Sequence, residues 1–170
     1  MNEQSGGITA SIMELTAPWA HLSTSDASTV TNEAWRLSRE REGFAVRIVR
    51  GKKMKTLDGL FNEWAAALQF PFYFGENWNA LKDCITDLDW LNAKGYLIVI
   101  LDADSVLCDA PDCLSQMESL LEMLRLASSE WAMPIERGET WDRTARPFRV
   151  VFQTTRGNEM GWQARLSDNP

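Results

Sequence analysis

The segment Gly95-Tyr96-Leu97-Ile98-Val99-Ile100-Leu101 decides the fold class, because residues 96–101 form the longest apolar run in the chain. A short run of this kind, without alternation, is typical of a strand buried on both faces of a parallel sheet. It is far shorter than the roughly 20 apolar residues that a membrane-spanning helix needs. The sequence therefore predicts a central buried strand here and no membrane span.

Three predicted elements precede this strand. Residues Phe44–Arg50 are mostly apolar and predict another strand. Thr56 can cap a helix whose apolar stripe runs to Leu68, and Pro71 follows the end of that helix. A second helix is predicted for residues 77–88, because apolar side chains recur there at helical spacing and leave a polar opposite face.

Two more elements follow it. Asp109 is the predicted cap of a helix with Pro111 in its first turn and an apolar face that runs from Leu114 toward Trp131. Residues Phe148–Gln153 predict the last strand. Strands that alternate with helices in this way predict an α/β fold with a small, mostly parallel β-sheet flanked by helices.

The two ends of the chain show weaker patterns. Residues 1–43 are rich in Ser and Thr, with one short apolar patch and a predicted helix at 32–42 that has Trp35 on its apolar side. We interpret them as an N-terminal extension with a strand–helix unit. Residues 154–170 show little pattern and are interpreted as a C-terminal tail. Residues 44–153 then form the main domain.

Composition limits the class of protein. The 170 residues are 45% hydrophobic and 24% charged, as in an ordinary globular domain. The three cysteines, an odd number, argue against a disulfide framework and for a reducing compartment. The first residues lack the basic and apolar segments of a secretory signal. These features predict a cytoplasmic protein.

The charge is unevenly distributed. The chain has a net charge of −7, and residues 71–131 carry eleven acidic and only three basic side chains. Such a field repels phosphate backbones and speeds the encounter with basic proteins. We therefore expect a basic protein partner and no direct contact with nucleic acid or a membrane. The oligomeric state is left open.

Residues 73–86 carry the most specific motif, Tyr-Phe-Gly-Glu-Asn-Trp-Asn-Ala-Leu-Lys-Asp-Cys-Ile-Thr. It resembles a segment of the barstar family of ribonuclease inhibitors that reads Tyr-Tyr-Gly-Glu-Asn, two residues, Ala-Leu, one residue, Asp-Cys-Leu-Thr. The resemblance extends over residues 44–153, and residues 1–43 have no counterpart. It implies a small parallel sheet flanked by helices, with one helix that plugs the active-site cleft of a nuclease.

The resemblance also implies roles for particular residues. Asp83 matches the aspartate that occupies the place of a substrate phosphate. Tyr73, Asn77 and Thr86 match positions at or beside the contact surface, and Glu130 matches an acidic residue near the end of a later helix. The expected partner-binding surface has four further members, namely Glu76, Asn79, Lys82 and Asp87.

Three departures from the family pattern bear on the target. Asn79 stands where the family's inhibitor of barnase has a second aspartate, Lys82 where it has a tryptophan, and Leu126 where it has a glutamate. These differences favour a nuclease other than barnase as the target. The sequence thus predicts a ribonuclease inhibitor, for example an immunity protein against a cell's own toxin, with no catalytic residue, cofactor or metal.

Two alternatives remain. A regulatory interaction module that has lost nuclease recognition would also explain Lys82 and Leu126. An apolar strand that ends in Asp102-Ala103-Asp104 is similar to the first motif of haloacid-dehalogenase-type phosphatases, in which the two aspartates work with Mg²⁺. That chemistry also needs a later Lys or Arg and a second acidic pair after a later strand. No lysine follows Lys94, and the strand at Phe148–Gln153 is followed by Thr154-Thr155-Arg156 instead of paired acids. We favour strand-end turn residues for both aspartates.

Overall fold

The computed structural model describes residues 8–167 of the chain. Within this range the strands are β1 (Ala20–Ser23), β2 (Phe44–Arg50), β3 (Gly95–Leu101) and β4 (Phe148–Gln153). The α-helices are α1 (Ala27–Glu40), α2 (Leu57–Leu68), α3 (Trp78–Asp87), α4 (Cys113–Trp131) and α5 (Glu159–Ser167). Short 3-10 turns lie at Ala10–Met13, Gly51–Lys53, Asp89–Leu91 and Ala103–Ser105.

The strands form one parallel sheet in the order β1-β4-β3-β2. One row of paired residues crosses it from Arg47 through Ile98 and Val150 to Ala20. β3 lies inside the sheet, and residues 96–100 have fully buried side chains. The predicted α/β class, with a small parallel sheet flanked by helices, is therefore confirmed.

Alternate residues of β3 face two different apolar layers. Tyr96, Ile98 and Ile100 pack against the layer formed by α2, α3, α4 and α5. Leu97 and Val99 pack against α1 and the turn at Ala10–Met13. Burial on both faces explains why this strand has no polar alternation.

Two elements, α2 and β3, begin where the sequence predicts, and local interactions explain both starting points. The Thr56 hydroxyl accepts a hydrogen bond from the main-chain nitrogen of Gly59 at 3.2 Å, as expected of the residue that caps α2. Gly95 begins β3 at a crowded point, because a Cβ there would lie 2.6 Å from the Phe44 ring. A larger residue at this position would push β2 and β3 apart.

Residues 8–43 extend the sheet at one edge and cover its second face. β1 adds a fourth strand beside β4, and α1 crosses the sheet to reach β2 at the opposite edge. Their buried apolar side chains form a layer with those of the sheet: Ile8, Ile12, Met13, Val30, Ala34 and Leu37. The extension is therefore part of the packed core.

A buried arginine connects this extension to the rest of the domain. Arg149 of β4 is only 2% exposed. Its Nη2 donates to the carbonyls of Glu14 and Leu15 at 2.8 and 2.9 Å, and its Nη1 donates to Ser128 Oγ at 3.0 Å. No carboxylate among residues 8–167 forms an ion pair with it, and burial lowers the pKa of its guanidinium.

Two helix starts differ from the prediction. α1 begins at Ala27, five residues earlier than expected, because the Asp26 carboxylate caps it by accepting from the nitrogen of Thr29 at 2.9 Å. α4 begins at Cys113, and the preceding Asp112 has a φ of +52° with no side-chain cap. The prediction that Asp109 caps this helix is wrong.

Two predictions of packing are also wrong. Trp35 and Leu114 were expected on apolar helix faces, but they are 44% and 66% exposed. Residues 154–170, which show little sequence pattern, contain α5. This helix contributes one fully packed side chain, Trp162, and its remaining residues face mainly outward.

Candidate functional site

The motif of residues 73–86 forms a sharp turn followed by α3. Asn77 caps the helix, since its Oδ1 accepts from the nitrogen of Ala80 and its Nδ2 donates to the carbonyl of Gly75, both at 2.9 Å. Glu76 just before it has a φ of +47°. Asn77, expected at the contact surface, thus has a structural role that fixes where α3 begins.

Side chains from α4 and α3 hold the two helices together at both ends. Trp78 Nε1 donates to Gln116 Oε1 at 2.9 Å near the start of α3. Trp131 Nε1 donates to the carbonyl of Ile85 at 2.8 Å near its end. Leu81 and Ile85, which lie on α3 between these two hydrogen bonds, are fully buried. The position of α3 on the domain is therefore fixed along its length.

The outer face of α3 carries the predicted partner-binding residues. Asn79, Lys82, Asp83 and Asp87 are exposed, whereas Thr86 is half-buried and its hydroxyl donates to the carbonyl of Lys82 at 2.9 Å. Within residues 8–167, the Asp83 carboxylate has no hydrogen bond or ion pair, and neither does the Lys82 ammonium. Both charges are therefore free to bind a partner.

The exposed Asp87 lies near a second carboxylate, that of Asp89, at the end of α3. Partial burial raises the pKa of its carboxyl group, and the negative charge of Asp89 raises it further. Both effects disfavour the carboxylate form, so a cation placed beside Asp87 would relieve them. This end of α3 is therefore suited to a basic group of a partner.

The remaining predicted residues flank α3. Tyr73 is 68% exposed in the turn before the helix, and Glu130 is exposed in the last turn of α4. Glu130 is linked to the end of α3 through its neighbour Trp131. The structure thus places the predicted residues on α3, on the turn before it and on the adjacent end of α4.

Sequence reasoning missed two exposed aromatic side chains near these elements. Phe72, next to Tyr73, is 101% exposed. Trp141 is 58% exposed in the loop between α4 and β4, whose Arg143 packs its guanidinium 4.2 Å from the centre of the Trp131 ring. The signal available was their position in segments without helical or strand periodicity, where an apolar side chain has no core to join.

The aspartates after β3 hold the fold together. Asp104 accepts hydrogen bonds from Thr154 Oγ1 at 2.7 Å, Trp162 Nε1 at 2.8 Å and the nitrogen of Thr155 at 3.1 Å. Burial tends to raise the pKa of Asp104, but these hydrogen bonds outweigh it and lower the pKa. Asp102 forms an ion pair with Lys52 Nζ at 3.0 Å. These contacts support a structural role for Asp104 and Asp102.

The carboxyl ends of β1 and β4 surround a shallow cavity of about 440 Å³. In many parallel-sheet proteins a ligand phosphate binds at such a place, at the first turn of a helix. Here the Asp26 carboxylate occupies that turn, and hydrogen bonds from Ser28 and Thr29 lower its pKa. An anion in this cavity would meet the negative charge of Asp26 as well as the positive charge of Arg156, which also lines it.

The part of the chain that the structure describes also bears on metal sites, disulfides and membrane-spanning helices. No group of three or more His, Cys, Asp or Glu side chains there could hold a metal ion. Cys84 is buried, Cys108 and Cys113 are exposed, and all three are free thiols. No helix between residues 8 and 167 is both long and apolar enough to cross a membrane.

A family model described as "Barstar (barnase inhibitor)" matches residues 44–153, which is well over half of the chain. The match begins at β2 and ends at β4. It therefore includes α3 and its exposed face but not β1 and α1. None of the curated proteins compared with the chain gives a significant match.

Solved structures resemble the fold at low sequence identity. Two structures of the Aeropyrum pernix ORC2 protein, in its ADP form and as ADPNP-ADP complexes, are each 12% identical to the chain, with TM-scores of 0.55 and 0.52. They cover 90% and 86% of this chain, but only 40% and 37% of their own length is matched. This likeness shows a shared parallel-sheet architecture alone.

Proposed function

The chain belongs to the barstar family, and on that basis we propose that it inhibits a ribonuclease by covering the enzyme's active site with the outer face of α3. The observation that carries the proposal is the exposed Asp83 carboxylate, which is unpaired among residues 8–167 and lies in the middle of a helix fixed at both ends. The family match over residues 44–153 supports the same class of activity.

Asp83 would take the place of a substrate phosphate. A ribonuclease must hold phosphates with basic groups, and a carboxylate accepts the same charge-assisted hydrogen bonds from them. Asp83 gives up no ion pair with any residue between 8 and 167 when it binds. Because α3 is already seated against α4, little conformational entropy is lost on association.

The neighbouring residues would have distinct tasks. Tyr73 and Asn79 frame the carboxylate, while Asn77 keeps the first turn of α3 in place. Glu76, Asp87 and Glu130 supply a negative field that raises the rate of association with a basic protein. Thr86 lies beside Asp83 on the half-buried edge of this surface.

Lys82 limits which ribonucleases can be the target. Its ammonium would be buried without a partner unless the nuclease presents an acceptor opposite it, and burying an unpaired charge is costly. The target would therefore be a basic ribonuclease with an acidic or polar group beside its phosphate pocket. A cell that makes such an enzyme as a toxin would use this protein for immunity.

The experiment compares Asp83→Asn with Asp58→Asn, a matched control that removes one exposed carboxylate from the first turn of α2. Each tagged full-length chain is used to capture proteins from an extract of the source cells. The captured ribonuclease activity and its inhibition constant are then measured. We expect wild type and Asp58→Asn to inhibit equally and Asp83→Asn to be weaker by more than tenfold, because basic groups of the cleft stay unpaired.

Equal inhibition by all three chains would contradict the phosphate-mimic role. A second candidate, the regulatory interaction module, is favoured by the exposed Lys82 on α3 and by Leu126, which is 37% exposed on α4. It predicts capture of a protein without ribonuclease activity, with binding lost in Leu126→Ala and kept in Asp83→Asn. The same capture experiment therefore distinguishes the inhibitor function from the regulatory function.

A further inference from the structure

Phe72 is the most exposed large apolar side chain of the described residues, at 101%. It stacks edge-on against Tyr73 with 5.5 Å between ring centres, and Tyr73 is itself 68% exposed. Single exposed apolar residues are common on protein surfaces. Phe72 and Tyr73, two adjacent exposed aromatic rings just before the motif helix, form a small aromatic patch of the residue type that is enriched in protein interfaces.

The backbone around Phe72 is held from both sides. The nitrogen of Phe74 donates to the carbonyl of Pro71 at 3.0 Å and closes a tight turn. The Phe74 ring packs against Phe70 at 4.9 Å and against Phe61 at 6.2 Å between ring centres. Because its neighbours are anchored in the core, Phe72 is presented outward by a pre-formed turn, and its immobilisation on binding costs little entropy.

The aromatic patch lies in an uncharged segment that is followed by a strongly acidic one. No charged residue occurs from Trp64 to Gly75, whereas Glu76 and Asp83 follow within one short turn and helix. A basic surface complementary to α3 would therefore continue into an uncharged area at this point. The partner must present an apolar area there, because burying its basic groups against two aromatic rings would leave them unpaired.

We infer that Phe72 selects the partner by entering an apolar pocket at the rim of the ribonuclease's basic cleft, beside the position of Asp83. This inference rests on the proposed function and extends it to specificity. Charge alone attracts any basic protein, whereas a rigid aromatic side chain in a fitted pocket discriminates between related surfaces. Phe72 acts through contact area and Asp83 through charge.

The test places the photo-crosslinking residue p-benzoylphenylalanine at position 72, at position 79 or at position 35 of the full-length chain. Position 79 lies on the exposed face of α3 and leaves the Asp83 carboxylate in place. Position 35 is the matched control, because Trp35 is an exposed aromatic residue on α1, which packs on the opposite face of the sheet. Each chain is irradiated in an extract of the source cells. We expect positions 72 and 79 to capture the same ribonuclease and position 35 not to capture it.

The captured ribonuclease then serves as the probe for Phe72→Ala and Trp35→Ala. Phe72→Ala should weaken binding about 30-fold, mainly through faster dissociation, whereas Trp35→Ala should match wild type. Capture from position 79 alone, or equal affinities of the two variants, would overturn the inference and leave the inhibitor function standing. Absence of a ribonuclease from both positions 72 and 79 would overturn the inference together with the function.

Discussion

The indole Nε1 of Trp131 donates a 2.8 Å hydrogen bond to the main-chain carbonyl of Ile85. Ile85 is in the last turn of α3, where a carbonyl has no partner within its own helix. Trp131 is 2% exposed and its ring lies 4.8 Å from that of Tyr96 in the central strand. The end of the proposed docking helix is therefore positioned by the core of the sheet.

We expect Trp131→Phe to lower the free energy of unfolding by about 2 kcal/mol, because it leaves the Ile85 carbonyl buried without a donor. Trp141→Phe, at a 58% exposed position, is the control and should change stability by less than about 0.5 kcal/mol. Urea denaturation measures both. Equal free energies of unfolding for the two variants would show that this hydrogen bond does not stabilise the fold.

Asn77→Ala should remove the cap of α3. The Ala80 nitrogen loses its acceptor, and we expect a loss of about 1 kcal/mol in unfolding free energy. Asn77→Asp keeps an acceptor oxygen and should retain most of this stability. Hydrogen exchange of the first turn of α3 reports the effect locally. Unchanged protection in Asn77→Ala would contradict the capping role.

Glu76→Gly and Glu76→Ala separate backbone strain from charge. Both remove one carboxylate, but only glycine adopts a φ of +47° without a steric penalty. Glu76→Gly should be more stable than Glu76→Ala by about 1 kcal/mol in thermal denaturation. Both should slow association with the target ribonuclease to the same extent, with a smaller deficit at high salt. Different association rates would argue against a purely electrostatic role.

Stability should depend on the ionisation of Asp104. Its pKa in the folded protein is below the ordinary value, because hydrogen bonds from Trp162 and Thr154 outweigh the effect of burial. Its contribution is therefore complete above about pH 4 and is lost as the pH falls through the lowered pKa. Asp104→Asn should be less stable than wild type at pH 7, with a difference that shrinks toward pH 2. A constant difference would exclude this linkage.

Arg149→Met should loosen the N-terminal turn. The carbonyls of Glu14 and Leu15 lose their shared donor, and we expect about 2 kcal/mol less stability. Arg156→Met, at an exposed position, is the control. Hydrogen exchange should increase in residues 10–18 of the first variant alone. If protection there stays the same, the arginine is not what holds this segment.

Elements whose stability is local were predictable from the sequence. The apolar run of β3, the cap at Thr56 and the stripe of α2 depend on neighbours within a few residues, and the structure has them where expected. The motif of residues 73–86 likewise marks both the turn and the helix. Spacing and capping chemistry were sufficient for these parts.

Elements held by distant residues were not predictable. α5 has one buried side chain, and that side chain is secured by Asp104, 58 residues away in sequence. Trp35 lies on the outer side of its helix because smaller residues, Ala34 and Leu37, fill the space over the sheet. Phe72 is exposed because the turn is anchored by its neighbours. The presence of α5 and the exposure of Phe72 leave no periodic signal. Val30, Ala34 and Leu37 do recur at helical spacing, but a helix that starts at residue 32 omits the first of them.

The pairing of β1 with β4 has a consequence for how the protein is made. Val150 and Ala20 are partners in the sheet although almost the whole domain separates them along the chain. During synthesis β1 must wait for β4 before it can pair, and contacts of such long range slow folding. A nascent chain that stops before Phe148 leaves β1 without its neighbour, so this edge of the sheet forms only after β4 has been made.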